Sequence, residues 1–193
     1  MTKFILLGGY LAKAQDGGRS FAQELVKGHG DSPRILQCLF ARPSDTWQET
    51  FEKECVALGA YVPEKTPDFR LANPATFSEQ ISYANIIYVR GGNDRTLVEG
   101  LRQSIDWMHK LDGKTLAGSS AGADAIATYY YNLDSGSVES GLGLLPIKVI
   151  PHWRSEYGGG SINWDHAYAE LKSFGDDLPI LTLAEGQFEV RTV

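Results

Sequence analysis

The chain is poor in the residues that support several common kinds of chemistry. Its 193 residues include two cysteines and four histidines. Cys38 and Cys55 have no metal-like spacing, and each is expected to be a buried free thiol. No H-E-x-x-H or similar pattern joins the histidines to carboxylates, so no metal is expected. Neither G-x-x-x-x-G-K-[ST] nor G-x-G-x-x-G occurs, so no nucleotide and no other cofactor is expected. Positive charge is scarce, with 18 Lys and Arg against 24 Asp and Glu and a net charge of −6. Without a basic stripe, nucleic acid is an unsuitable partner. No run of about 18 apolar residues is present, so no membrane span is expected. The apolar run Phe4 to Leu7 is too short for a signal h-region and passes directly into Gly8-Gly9. Repeats, low-complexity tracts and linkers are also missing. A soluble cytoplasmic protein with one domain over residues 1–193 is expected. Its 42% hydrophobic and 22% charged residues suit one substantial core.

Apolar runs alternate with helical patterns along the first two thirds of the chain. Strands are expected at Phe4–Leu7, Arg34–Ala41, Ala60–Val62, Asn85–Val89 and Thr115–Ala117. Helices are expected at 19–27, from Ser44 or Asp45 to Leu58, at 75–83, from Arg95 to Lys110 and from Ala121 to Tyr129. Residues 130–143 read as irregular. A strand follows at Leu144–Ile150, then a Gly/Ser loop, a helix from Asn163 or Asp165 to Phe174, a strand at Leu178–Leu183 and an antiparallel edge strand at Phe188–Val193. This alternation predicts βαβ units, a mostly parallel, doubly wound sheet and an α/β three-layer sandwich. Three strands end in glycine-rich turns, which an open α/β sheet brings together beyond the carboxyl ends of its strands.

The most informative turn is Gly118-Ser119-Ser120-Ala121-Gly122. Gly118-x-Ser120-x-Gly122 fits the G-x-S-x-G nucleophile elbow, in which a sharp strand-to-helix turn exposes a serine. Small neighbours are needed there because side chains on either side of the serine would collide in so tight a turn. The Ala121 N–H would sit at a helix start and could face an oxyanion. A serine hydroxyl needs a base. His152 follows a strand end directly, lies downstream of Ser120 and is the best placed of the four histidines. The acid that orients it could be Asp124, Asp134 or Glu139. Gly91-Gly92-Asn93 could be a plain turn or could supply a second oxyanion donor.

Taken together, several motifs in order carry a resemblance. They are Gly8-Gly9, Val89-Arg90-Gly91-Gly92-Asn93, Gly118 to Ala123, Gly141-Leu142-Gly143-Leu144-Leu145-Pro146 leading to Pro151-His152, and Leu183-Ala184-Glu185-Gly186. The set resembles the peptidase E (aspartyl dipeptidase) and cyanophycinase family of serine peptidases, which has the class I glutamine amidotransferase-like fold. The resemblance implies Ser120 as nucleophile, His152 as base, and an oxyanion hole from Gly92 and Ala121. It places the acid between serine and histidine, with Asp134 closest and Glu139 as fallback. A small peptide is the expected substrate, with Asn93 and Arg154 as its binding side chains. Residues 154–164 depart from the basic segment of aspartate-selective relatives, since Arg154 is their one positive charge. Two rival functions are a non-catalytic binding module that keeps the elbow for structural reasons, and an esterase or amidase.

Overall fold

A computed structural model describes residues 1–104 and 106–193. Six strands form the larger sheet, in the order β10-β1-β5-β4-β2-β3. They are β1 (Lys3–Leu7), β2 (Arg34–Cys38), β3 (Asp68–Leu71), β4 (Ile86–Val89), β5 (Thr115–Ser119) and β10 (Phe188–Thr192). All pairings are parallel except that of β10 with β1. A second sheet, in the order β7-β6-β8-β9, comprises β6 (Ala127–Asn132), β7 (Ser137–Ser140), β8 (Leu145–Ile150) and β9 (Ile180–Thr182). The expected single sheet is therefore two.

The period of two along a strand divides the larger sheet's side chains between two cores. Phe4, Leu6 and Leu116 enter one core, while Ile5, Leu7 and Ala117 enter the other. Helices α1 (Arg19–Val26) and α2 (Trp47–Tyr61) cover the second face, α1 through Phe21, Ala22, Leu25 and Val26. Helices α3 (Phe77–Tyr83), α4 (Asp94–Gln103) and α5 (Ala121–Ile126) cover the first. The second sheet joins that first core through Tyr130, Leu145, Ile147 and Val149. Its other side is covered by α6 (Trp164–Ser173) through Ala167 and Leu171. The result is the expected α/β sandwich with a mostly parallel sheet, extended by a smaller sheet. Among the described residues, no helix is long and apolar enough to cross a membrane.

Several boundaries differ from the sequence expectation for identifiable reasons. Helix α2 continues through Gly59 to Tyr61, and the third strand forms at Asp68–Leu71 instead of Ala60–Val62. Residues 108–110 form a separate turn beyond α4, and the buried Trp107 donates its indole N–H to Leu101 O at 3.0 Å. Position 105, inside the helix expected to reach Lys110, lies outside the described residues. Helix α5 stops at Ile126, because Tyr129, Tyr130 and Tyr131 are strand formers that pair with β7, the first two also with β8. The stretch expected to be irregular is thus a hairpin of β6 and β7. Cys38 is fully buried and Cys55 only half-buried; both are free.

Leu116 is central to the larger sheet and fully buried. Leu116→Ala is expected to cost about 2–5 kcal/mol of stability, read from urea unfolding, because the surrounding strands cannot close the cavity.

Candidate active site

Three chain segments meet at the carboxyl end of β1, and main-chain hydrogen bonds hold them there. The Ser120 N–H donates to Leu7 O at 2.9 Å, the His152 N–H to Gly8 O at 2.9 Å, and the Gly186 N–H to Gly9 O at 2.8 Å. The elbow after β5, the end of β8 and the turn after β9 are thereby fixed to three consecutive residues.

The elbow is as tight as its small residues suggest. Ser120 has φ 53° and ψ −117°, a conformation that costs a non-glycine residue on the order of 1–3 kcal/mol. A Cβ on Gly118 would lie 2.3 Å from Gly122 O, which no side chain could tolerate. His152 also has a positive φ, 54°. These two strained residues aim at each other, with Ser120 Oγ 2.9 Å from His152 Nε2. On the opposite edge of the ring, His152 Nδ1 is 3.1 Å from Glu185 Oε1. The carboxylate dictates the tautomer, with the proton on Nδ1 and the lone pair of Nε2 facing the serine.

The electrostatics suit that tautomer. Burial is the largest influence on His152 and lowers its pKa, while the bond to Glu185 and that residue's charge oppose it only in part. The imidazole is therefore neutral at pH 7 and able to take a proton. Burial would raise the Glu185 carboxyl, but hydrogen bonds from Lys13, His152 and Ser155 outweigh it and the net shift is downward. Glu185 thus stays ionised beside the ring, paired on its other oxygen with Lys13. Tyr157 stacks on the imidazole with ring centroids 4.4 Å apart.

The expected acid is displaced. Asp134 lies in the turn between β6 and β7, exposed, where its Oδ1 accepts from the Tyr157 hydroxyl at 3.2 Å. It is not the partner of Nδ1, because Nε2 faces Ser120 and so Nδ1 faces the turn after β9. The fallback, Glu139, binds Arg95, Asn132 and Tyr130 instead. The sequence candidates lie between serine and histidine, whereas Glu185 lies beyond both. Its signal was present nonetheless, as a glutamate at a strand end followed by glycine in the Leu183-Ala184-Glu185-Gly186 motif.

Two other expected residues are elsewhere too. Asn93 accepts from the Thr96 N–H at 2.8 Å and caps α4. Arg154 lies over the Trp153 ring, 3.5 Å from Asp165, and is solvent exposed. The cations that do line the pocket beside Ser120 are Arg42 and Arg90. Arg42 donates to Gly91 O at 2.9 Å; Arg90 pairs with Glu54 and Tyr88. The pocket holds about 220 Å³ and also takes in Gly91 and Gly92. Among the described residues, the N–H groups of Gly92 and Ala121 donate to no protein acceptor. Both residues border the space beside Ser120. No group of three or more His, Cys, Asp or Glu residues among the described residues could hold a metal ion.

A half-buried serine on a strained turn, hydrogen bonded to a neutral histidine that is oriented by a carboxylate, is the geometry a serine hydrolase uses. The model of peptidase family S51 matches residues 44–190, so the chain belongs to that family and is a serine-type peptidase. Its fold is shared by a peptidase from an acI-B1 Actinobacterium, with TM-score 0.68 and 22% identity over 99% of this chain and 83% of that one. It is shared as well by a protein of Listeria monocytogenes EGD-e described as a peptidase E, with TM-score 0.70 and 13% identity over 100% and 99% of the two chains. The search of curated proteins finds no match.

Gly9 tests how closely this geometry is held. A Cβ there would lie 2.2 Å from His152 Cε1 at a φ of 101°. Gly9→Ala is expected to push the imidazole off Ser120 and slow labelling of the serine by a fluorophosphonate at least about tenfold.

Proposed function

We propose that this protein hydrolyses short peptides as a cytoplasmic exopeptidase or dipeptidase, through a Ser120–His152–Glu185 triad and an acyl-enzyme. The observation that carries the reading is the continuous hydrogen-bonded line from Ser120 Oγ through both ring nitrogens of His152 to Glu185 Oε1. Ser120 Oγ attacks the scissile carbonyl carbon as its proton passes to His152 Nε2. The oxyanion is met by the N–H groups of Gly92 and Ala121, which lack other acceptors and cost no reorganisation when charge develops. His152 then gives its proton to the leaving amine, the C–N bond breaks, and an ester remains on Ser120. Water, deprotonated by the same imidazole, attacks the ester and frees the serine. Glu185 holds the tautomer and stabilises the imidazolium at both stages.

Pocket size supports a short substrate. At about 220 Å³, the space is below the usual range of roughly 300–1,000 Å³ for small-molecule sites. Arg42 is the side chain best suited to a substrate carboxylate, since among the described residues it has no acidic partner. The half-buried and buried free thiols agree with a reducing compartment.

Ser120→Ala is expected to abolish turnover of a dipeptide panel while leaving the unfolding transition in place. Retained turnover would remove the serine from the mechanism. Glu185→Gln is expected to lower kcat about 10²–10⁴-fold, at least tenfold more than Asp134→Asn does. The reverse ranking would return the acid role to Asp134. The pH profile of kcat/KM provides a third check. His152 must be neutral to act, and burial holds it below its ordinary 6.5. Activity is expected to rise with pH along a limb centred below 6.5. That limb should move lower still in Glu185→Gln, which lacks the charge that favours the imidazolium.

A further inference from the structure

The hydrogen bonds to Ser120 and Glu185 hold the His152 imidazole at two opposite edges. They leave the roll of the ring about the line through both nitrogens to other contacts. Two aromatic rings supply such contacts. Tyr157 stacks on the imidazole with centroids 4.4 Å apart and planes 29° apart, whereas Tyr10 meets it at 5.3 Å with planes 70° apart. A tight turn carries Tyr157 back to the histidine that precedes it. The Ser155 N–H donates to His152 O at 3.0 Å, and the Tyr157 N–H donates to Ser155 Oγ at 3.1 Å. Gly158, Gly159 and Gly160 follow with φ 65°, 72° and 75°, a left-handed run open only to glycine without strain, and they turn the chain away directly after the ring. The far end of the ring is held as well. Its hydroxyl donates to Asp134 Oδ1 at 3.2 Å, in the turn between β6 and β7. Burial and the Asp134 charge push that hydroxyl up to about 12, so it keeps its proton and stays a donor. Tyr157 is only half-buried and, among the described residues, belongs to none of the apolar clusters, so filling a core does not account for it.

We propose that Tyr157 is a positioning residue for the reaction, one that sets the plane of the His152 imidazole and stabilises the imidazolium, with Asp134 as the anchor of its ring. The inference rests on the reading of His152 as the base that serves Ser120. Two effects follow from the geometry. The first is orientation. The lone pair of Nε2 lies in the ring plane, and a ring that rolls swings it away from the serine hydroxyl. The stacked tyrosine blocks that roll. The second effect is electrostatic. The imidazole is neutral at rest and cationic while it holds the serine's proton. A cation over the face of an aromatic ring, within about 6 Å of its centroid, is attracted by the negative face. The stack therefore favours the stage at which the imidazolium exists over the resting state. Donation of the Tyr157 hydroxyl to a carboxylate makes the ring richer in electrons and strengthens the attraction. Asp134 thus acts on His152 through Tyr157, outside the triad.

The test separates the aromatic face from its anchor. Tyr157→Leu keeps apolar bulk and removes the face, while Tyr157→Phe keeps the face and gives up the bond to Asp134. On a dipeptide that the wild-type enzyme turns over, Tyr157→Leu is expected to lower kcat about tenfold or more with KM within about threefold, because the interaction belongs to the charged stage. Tyr157→Phe is expected to keep at least about a third of wild-type kcat. Proton NMR gives a second reading that needs no turnover. The His152 Cε1–H lies in the shielding zone of the stacked ring, so its resonance should move downfield in Tyr157→Leu and stay in place in Tyr157→Phe. Wild-type kcat in Tyr157→Leu, in an enzyme that takes a fluorophosphonate at Ser120, would overturn this role and leave the peptidase reading intact. A loss confined to KM would overturn it too, by making Tyr157 a substrate contact. If Tyr157→Leu does not fold, Tyr157→Phe decides, since an unmoved resonance with kcat below about a tenth of wild type would show that the stack is not what matters. Absence of the label at Ser120 in the wild-type enzyme would overturn the peptidase reading and this inference with it.

Discussion

Every element of the active site depends on the last turn of the first strand. Leu7, Gly8 and Gly9 accept one main-chain hydrogen bond each from Ser120, His152 and Gly186, the neighbour of Glu185. Those three segments come from different strands, and two of them belong to the smaller sheet. A net hydrogen bond contributes only about 1 kcal/mol to stability, so the three are not important as energy. They matter because they leave a strained serine and a strained histidine one relative position, and the unpaired alternative would leave buried acceptors unsatisfied. Gly9 must be glycine for this reason, since the imidazole occupies the space of its missing side chain.

Around this frame, charge is distributed in a way that separates the parts of a reaction. His152 is kept neutral by burial, and Glu185 is kept ionised by the bonds it accepts. Arg42 and Arg90 line the pocket beside Ser120, and Asp94, Asp124 and Asp134 line an adjoining hollow. Membership of peptidase family S51 accounts for the hydrolytic class, whereas the distribution of charge is read from this chain's own residues.

Some of this was evident from sequence because it depends on local chemistry. The alternation of apolar runs with helical patterns identified an α/β protein with a mostly parallel sheet. Gly118-x-Ser120-x-Gly122 identified the elbow because its steric demand is met within five residues. Phe188 to Val193 was identifiable as an edge strand. The errors came where local propensity was decided by distant partners. Thr128 to Tyr131 could continue a helix or start a strand, and pairing with β7 and β8 made it a strand. Arg154 and Asn93 had suitable chemistry, but packing on Trp153 and capping of α4 took them away from the pocket.

The sequence by itself determined the elbow turn and the family, and pointed to the candidate serine and histidine, because each resides in short motifs whose geometry is local or whose order along the chain is distinctive. The acid, the basic pocket and the acidic hollow were decided only by the tertiary structure. Glu185 is 33 positions beyond His152, and no local rule connects them. They meet because β8 and β9 pair in parallel and the turn after β9 is bonded to Gly9. In the same way, Asp94 and Asp124 stand on two helices that touch only because β4 and β5 are neighbours. Side chains far apart in the chain acquire a common function when strand order fixes which loop ends are adjacent, and strand order is a property of the whole sheet.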